Sequence, residues 1–141
     1  MKNSIGFTGT QRGLTAAQKD RLRARLEVRR AQGFTRLHAG DCVGADWQAA
    51  TIANLLHYDV ISHPPSIPDK RAFFDCYAEE RPEKPYLERN RNIVRESAEL
   101  IACPKERREV LRSGTWATVR FARRTKKPVT VFYPDGSTEA M

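Results

Sequence analysis

The stretch Ser4-Ile5-Gly6-Phe7-Thr8-Gly9-Thr10-Gln11-Arg12-Gly13-Leu14-Thr15-Ala16-Ala17-Gln18 decides how this chain is read. A short apolar run over Asn3 to Thr8 stops at Gly9 and reads as a strand. A glycine-flanked turn follows. Thr15, with Gln18 three residues on, then has the form of a capping box, in which the threonine takes a helix N–H and the glutamine reaches back. From Thr15 to Gln32 the chain lacks Gly and Pro and is rich in Ala, Leu, Arg and Lys, so propensity predicts a helix that Gly33 ends. Strand, glycine turn and helix together open an α/β unit.

The pattern repeats downstream. Thr35 to Ala39 is a second strand, broken by Gly40-Asp41. Ala45, Ala49, Ile52, Ala53 and Leu56 recur at helical spacing. Tyr58 to Ser62 is a third strand and Glu99 to Cys103 a fourth, with a helix over Arg89 to Ser97 between them. A helix over Thr115 to Arg124 and a last strand over Pro128 to Tyr133 complete the series. Alternating strands and helices predict an α/β three-layer sandwich with a mostly parallel five-stranded sheet. Residues 1–134 form one domain in this reading, and 135–141, past Pro134-Asp135-Gly136, a frayed tail. The segment 63–86 is a lid-like insertion. It holds five of the eight prolines and the aromatics Phe73, Phe74 and Tyr77, which a short helix over Lys70 to Glu79 would pack onto the sheet edge or over a ligand.

With 141 residues, 40% apolar and 30% charged, the composition fits one soluble globular core. No apolar run approaches the roughly 18 residues of a bilayer span, and no apolar segment follows Met1-Lys2. Cys42, Cys76 and Cys103 are an odd, widely spaced set, which predicts reduced thiols and a cytoplasmic location. The net charge of +8 comes from 25 Lys+Arg against 17 Asp+Glu. Lys105 to Lys127 alone holds nine basic residues against two acidic ones. Such an excess favours polyanions, whether nucleic acid or a phosphorylated small molecule.

Ligands of open parallel sheets bind beyond the carboxyl ends of the strands. The segments found there are Gly9 to Gly13, Gly40 to Asp46, His63-Pro64-Pro65 and Arg112 to Trp116. Ser113-Gly114-Thr115 offers backbone donors and two hydroxyls at a helix start, which suits phosphate. Gly40 and Gly44 frame a similar turn, and Arg12 can close on a phosphate from the far side. Asp41 is placed to take a ribose hydroxyl, while Asp46 falls in a first helical turn, where a carboxylate suits the dipole. Arg89 and Asn90 open another helix, where a cation invites an anionic partner. The candidate ligand-binding set is therefore Gly9, Thr10, Arg12, Gly40, Asp41, Gly44, Asp46, His63, Pro64, Arg89, Asn90, Ser113, Gly114, Thr115 and Trp116. No Walker loop or GxGxxG is present. His38, His57 and His63 lack metal-ligand spacing, and Cys42 has no evident histidine base, so no metal, cofactor or thiolate nucleophile is expected.

GFTGTQRG (Gly6 to Gly13), HAGDCVGAD (His38 to Asp46), HPP (His63 to Pro65), ERNRNIV (Glu88 to Val94) and RSGTWAT (Arg112 to Thr118) resemble the SLOG superfamily. That group includes the SMF domain of DNA-processing protein A, the lonely-guy phosphoribohydrolases and the small stand-alone YspA/YpsA-like proteins, the branch this chain resembles most. The resemblance implies a Rossmann-like domain that senses or sequesters a nucleotide or nucleotide-derived molecule, such as an ADP-ribose or NAD-related signal. Two alternatives stand beside it, a nucleotide N-glycosidase and a binder of single-stranded nucleic acid similar to DNA-processing protein A. The lonely-guy motif GGxGTxxE keeps its GT at Gly114-Thr115 but has Thr118 where the glutamate belongs, so binding is favoured over hydrolysis. A homo-oligomer without membrane contact is expected.

Overall fold

The computed structural model describes residues 3–141. Its elements follow the order β1 (Ser4–Gly9), α1 (Ala16–Ala31), β2 (Arg36–Ala39), α2 (Ala45–Leu55), β3 (Asp59–Ser62), β4 (Glu79–Glu80), α3 (Tyr86–Arg95), β5 (Glu99–Cys103), α4 (Gly114–Arg124), β6 (Val129–Phe132) and β7 (Thr138–Ala140). Among the described residues the strands form one seven-stranded sheet in the order β4-β3-β2-β1-β5-β6-β7. Every pairing is parallel except β6 with β7.

Alternation along the strands assigns the two faces. Ile5, Phe7, Leu37, Ala39, Val60, Ile101, Cys103 and Phe132 join Leu22 and Leu26 of α1 and the alanines of α2 in one core. Leu100, Ala102, Val129 and Val131 point the other way, onto Val94, Trp116, Val119 and Ala122 of α3 and α4. The result is a three-layer Rossmann-like fold. Gly6 lies under α3, and a side chain there would meet Ser97 Oγ and Ile93, so only hydrogen fits at this crossing.

The capping box forms as read: Thr15 Oγ1 accepts from the Gln18 N–H at 3.1 Å and Gln18 Oε1 from the Thr15 N–H at 3.0 Å. The Gln18 amide is itself buried and donates to the carbonyls of Pro104 and Phe132. That fixes the start of α1 to the carboxyl ends of β5 and β6.

Three expectations need correction. The sheet has seven strands rather than five, because β4 and β7 add an edge on each side. Residues 135–141 are paired rather than frayed. A turn at Pro134–Ser137, with Gly136 at φ +87°, returns the chain so that Val131 faces Glu139. No helix spans 70–79. A single 3-10 turn at Pro68–Lys70 is followed by extended chain, and Phe74 is buried with Tyr77 edge-on at 5.1 Å.

Candidate anion-binding site

The strand order reverses its direction of growth at β1 and β5, so the loops leaving these two strands part and open a crevice. A cavity of about 590 Å³ lies there, within the usual size for a small-molecule site. Its walls are the end of β1 with its turn (Phe7 to Arg12), Cys42 and Asp46 from the second turn, and the first half of α3 (Tyr86, Leu87, Arg89, Asn90, Ile93). Lys105, Glu106 and the start of α4 (Arg112 to Thr115) close it.

Local chemistry builds each wall. Thr10 closes a turn by accepting from the Gly13 N–H, and its carbonyl also takes the Ala45 N–H at 3.0 Å. Gly44 makes this approach possible. Its φ is +83°, and a Cβ there would collide with the Gln11 carbonyl. Ser113 caps α4 by accepting from the Trp116 N–H at 3.2 Å. The N–H groups of Gly114 and Thr115 remain free to meet an anion, and space around Gly114 is open, with nothing within 4 Å of a Cβ placed there.

Arg89 is the unusual residue. It is 4% exposed, yet no ion pair of the described residues includes it. Its guanidinium donates to the Gly40 carbonyl, to the His63 carbonyl at 3.3 Å and to Asn90 Oδ1 at 2.7 Å. It also lies 3.6–3.7 Å from Cys42 Sγ and stacks on Tyr86 at 5.1 Å. All of these partners are neutral. Asp46 accepts from the Cys42 N–H at 3.2 Å. Burial pushes its carboxyl up to about 6, against the pull of the Arg89 charge. Burial likewise raises the Cys42 thiol, so this sulfur stays protonated near neutrality. The lining thus carries Arg12, Arg89, Lys105 and Arg112 against Asp46 and Glu106, an excess of cations facing free helix N–H groups.

Nine of the fifteen candidate residues line the cavity: Gly9, Thr10, Arg12, Asp46, Arg89, Asn90, Ser113, Gly114 and Thr115. Six do not. Gly40 and Gly44 act behind the wall, since a Cβ on Gly40 would strike the Arg89 guanidinium and Asp46. Asp41 turns away from the crevice, with Oδ2 on Arg71 Nε at 2.8 Å and Oδ1 on the Phe74 N–H at 3.1 Å, so it anchors the 63–86 segment. His63 pairs with His38 across 2.8 Å, and the Pro64 carbonyl takes the Lys84 N–H. Trp116 is fully buried, and its indole donates to Glu106 at 3.1 Å. Thr118, at the glutamate position of the lonely-guy motif, spends its hydroxyl on the Gly114 carbonyl at 2.8 Å. Cys42, Tyr86, Lys105 and Arg112 are lining residues outside the candidate set. The basic run pointed toward two of them, whereas Tyr86 stands a full turn before the helix start expected at Arg89.

The structure also joins residues that sequence spacing kept apart. His38, His63 and Glu96 bring potential ligand atoms within 4.8 Å of one another. Arg81 holds Glu96 at 2.9 Å, however, and the two imidazoles hydrogen-bond each other. Burial drives both histidines down, His38 to about 3 and His63 to about 4, so the pair is neutral at physiological pH. No helix among the described residues is long and apolar enough to cross a membrane.

No protein-family model matches the chain, and no curated protein matches it. Solved structures do. The molybdenum cofactor binding protein of the phototrophic bacterium Rippkaea orientalis matches with TM-score 0.72 and 22% identity over 94% of this chain and 77% of that one. The Moco carrier protein of Chlamydomonas reinhardtii matches with TM-score 0.67 and 22% identity over 93% and 76%. DNA processing protein A of Helicobacter pylori matches with TM-score 0.64 and 21% identity over 91% of this chain and 64%, less than two thirds, of its own. The chain has the fold of these proteins, and that likeness fits the SLOG resemblance carried by its motifs.

Proposed function

We propose that the chain binds a nucleotide or nucleotide-derived small molecule, an ADP-ribose or NAD-related signal among them, with a phosphate at the Ser113–Thr115 turn. One observation carries the reading: the free N–H groups that begin α4 open on a crevice whose walls include the buried Arg89, a cation that no ion pair of the described residues engages. A buried charge whose hydrogen bonds all go to neutral groups, with Asp46 nearby but not paired to it, is costly, and an anionic ligand offsets that cost. Neutral imidazoles, a protonated Cys42 and a Thr118 turned onto backbone supply no nucleophile, and the lining carboxylates Asp46 and Glu106 are held by the Cys42 N–H and the Trp116 indole, which favours recognition over bond cleavage. A second reading, binding of the molybdenum cofactor, is favoured by two of the fold neighbours, named for binding or carrying it. Single-stranded DNA, named for the third, is the remaining alternative.

Thermal denaturation against nucleoside monophosphates, ADP-ribose, NAD, molybdenum cofactor and oligonucleotides separates the three, because a ligand of the native state raises the melting temperature. The expected outcome is a shift with a nucleotide that survives 200 mM salt and returns unchanged on chromatography. The matched variant is Gly114→Asp, which sets a carboxylate at the phosphate turn in open space. Binding should fall more than a hundredfold, about 3 kcal/mol, with the circular dichroism spectrum retained. A folded Gly114→Asp protein that binds as wild type does removes the turn from the site. Stabilisation by oligonucleotides alone, vanishing steeply with salt, selects the nucleic-acid reading.

A further inference from the structure

On the outer side of α3 and α4, away from the crevice floor, three arginines converge on one ring. The guanidinium carbons of Arg91, Arg95 and Arg124 lie 5.3, 5.3 and 5.8 Å from the centre of Phe121. The ring's quadrupole attracts each cation, but three like charges around one ring repel each other. No ion pair of the described residues includes any of the three. Arg95 reaches only the neutral Asn92 side chain, at 3.2 Å. Arg120, by contrast, is engaged by Glu109 and by the carbonyls of Val110 and Leu111, and it braces the loop that carries Arg112. A groove of about 90 Å³ runs between the two helices beside this cluster, lined by Arg91, Arg120, Phe121 and Arg124. Leu87 and Asn90 line both this groove and the main cavity, so the two are neighbours across the start of α3.

We propose that the α3–α4 groove is a second anion subsite and that the ligand carries two phosphates separated by a sugar. This rests on the reading of the main cavity as a phosphate site, and within the nucleotide class it selects against ADP-ribose and NAD, whose two phosphates are directly joined. Spacing sets the class. From Gly114 to Arg120 the helix rises about 9 Å, at 1.5 Å per residue. Two directly linked phosphates are too close together to reach both the α4 turn and the groove. A nucleoside 3′,5′-bisphosphate places its phosphates on opposite sides of one ribose, and the long side chains of Arg91 and Arg124 cover the remainder of the interval. The same pair of phosphates recurs along a single-stranded nucleic acid. The free small molecule is favoured because Trp116 is fully buried and Phe121 lies beneath its arginines, leaving neither as a stacking platform for successive bases.

Amide NMR of the full chain titrated with inorganic phosphate tests the two subsites separately. Two sets of shifts are expected, one around Ser113–Thr115 and one around Arg91, Ala117, Thr118 and Phe121. The double variant Arg91→Gln/Arg124→Gln should abolish the second set alone. Shifts confined to the α4 turn overturn the subsite and leave the main reading standing. Shifts confined to the groove overturn the main reading, and with it the proposed two-phosphate ligand. No shifts overturn both. Calorimetry then sets the ligand class. Adenosine 3′,5′-bisphosphate should bind about tenfold more tightly than AMP, and the double variant should erase that advantage while leaving AMP within about twofold. ADP binding as well as the bisphosphate, or an oligothymidylate outcompeting it at 200 mM salt, overturns the assignment.

Discussion

Asp46 and Arg89 approach the same point above Gly40, yet they share no hydrogen bond, and each is satisfied by neutral groups. The cavity wall therefore stores electrostatic tension that a titration can read. The Asp46 carboxyl rises from 3.8 to about 6, with burial as the main cause. Between these values the folded chain keeps a proton that the unfolded chain has released. Stability drawn from this group is thus fully present below about 3.8 and is lost as pH rises through 6, by about 3 kcal/mol. The substitution Asp46→Asn keeps an acceptor for the Cys42 N–H and removes the titration. In urea unfolding at pH 4, 5, 6 and 7 the variant should gain on wild type by about 2–3 kcal/mol across the series. A gap between the two proteins that does not change with pH would show that Asp46 is not held as a high-pKa carboxyl.

Whole elements end the sheet by different means. β4 is two glutamates long, and β7 is three residues with Glu139 at its centre. Short, charged edges of this kind resist pairing with another sheet. Deleting residues 134–141 strips β7 from β6 and removes the carbonyls of Pro134 and Gly136, which Thr15 and Arg21 use. The loss should cost about 2 kcal/mol and expose the β6 edge, giving a lower melting temperature and self-association on gel filtration. An unchanged elution volume and melting point would assign no protective role to β7. These edges also mark where sequence reading stopped. β1, β2, β3, β5 and β6 carry apolar residues in runs, and Thr15 with Gln18 announces α1 by side-chain chemistry acting over three residues. Glu79-Glu80 has no such signal and is a strand only because β3 offers it a ladder. The site divides in the same way. The α4 turn, the end of β1 and the Arg89 position are local motifs, visible in the chain. Asp41 was misplaced because its orientation depends on Arg71, thirty residues away, and His63 because its partner is His38 on the neighbouring strand.

For the molecule as a whole, the acid limit of stability lies with that histidine pair. In the unfolded chain both imidazoles take protons below about pH 6.5. In the folded chain burial lowers them to about 3 and about 4. Stability is therefore full above 6.5 and falls as pH drops toward 4, opposite in sign to the Asp46 effect and with two protons against one. Melting temperature should decline steadily from pH 6.5 to 4.5, and His38→Gln/His63→Gln should flatten that decline. An equally steep slope in the double variant would move the acid limit elsewhere. The placement of β1 has a further consequence, in time. One edge of β1 meets β2, which is made soon after it, while the other waits for β5, about 90 residues after β1. At ribosomal speed that wait is roughly 5–18 s. Ile5 and Phe7 sit in a strand with an open flank throughout it, which makes this interval the one most exposed to mispairing. The crevice lies over the same seam and is closed by the start of α4, so it is complete only after the wait ends.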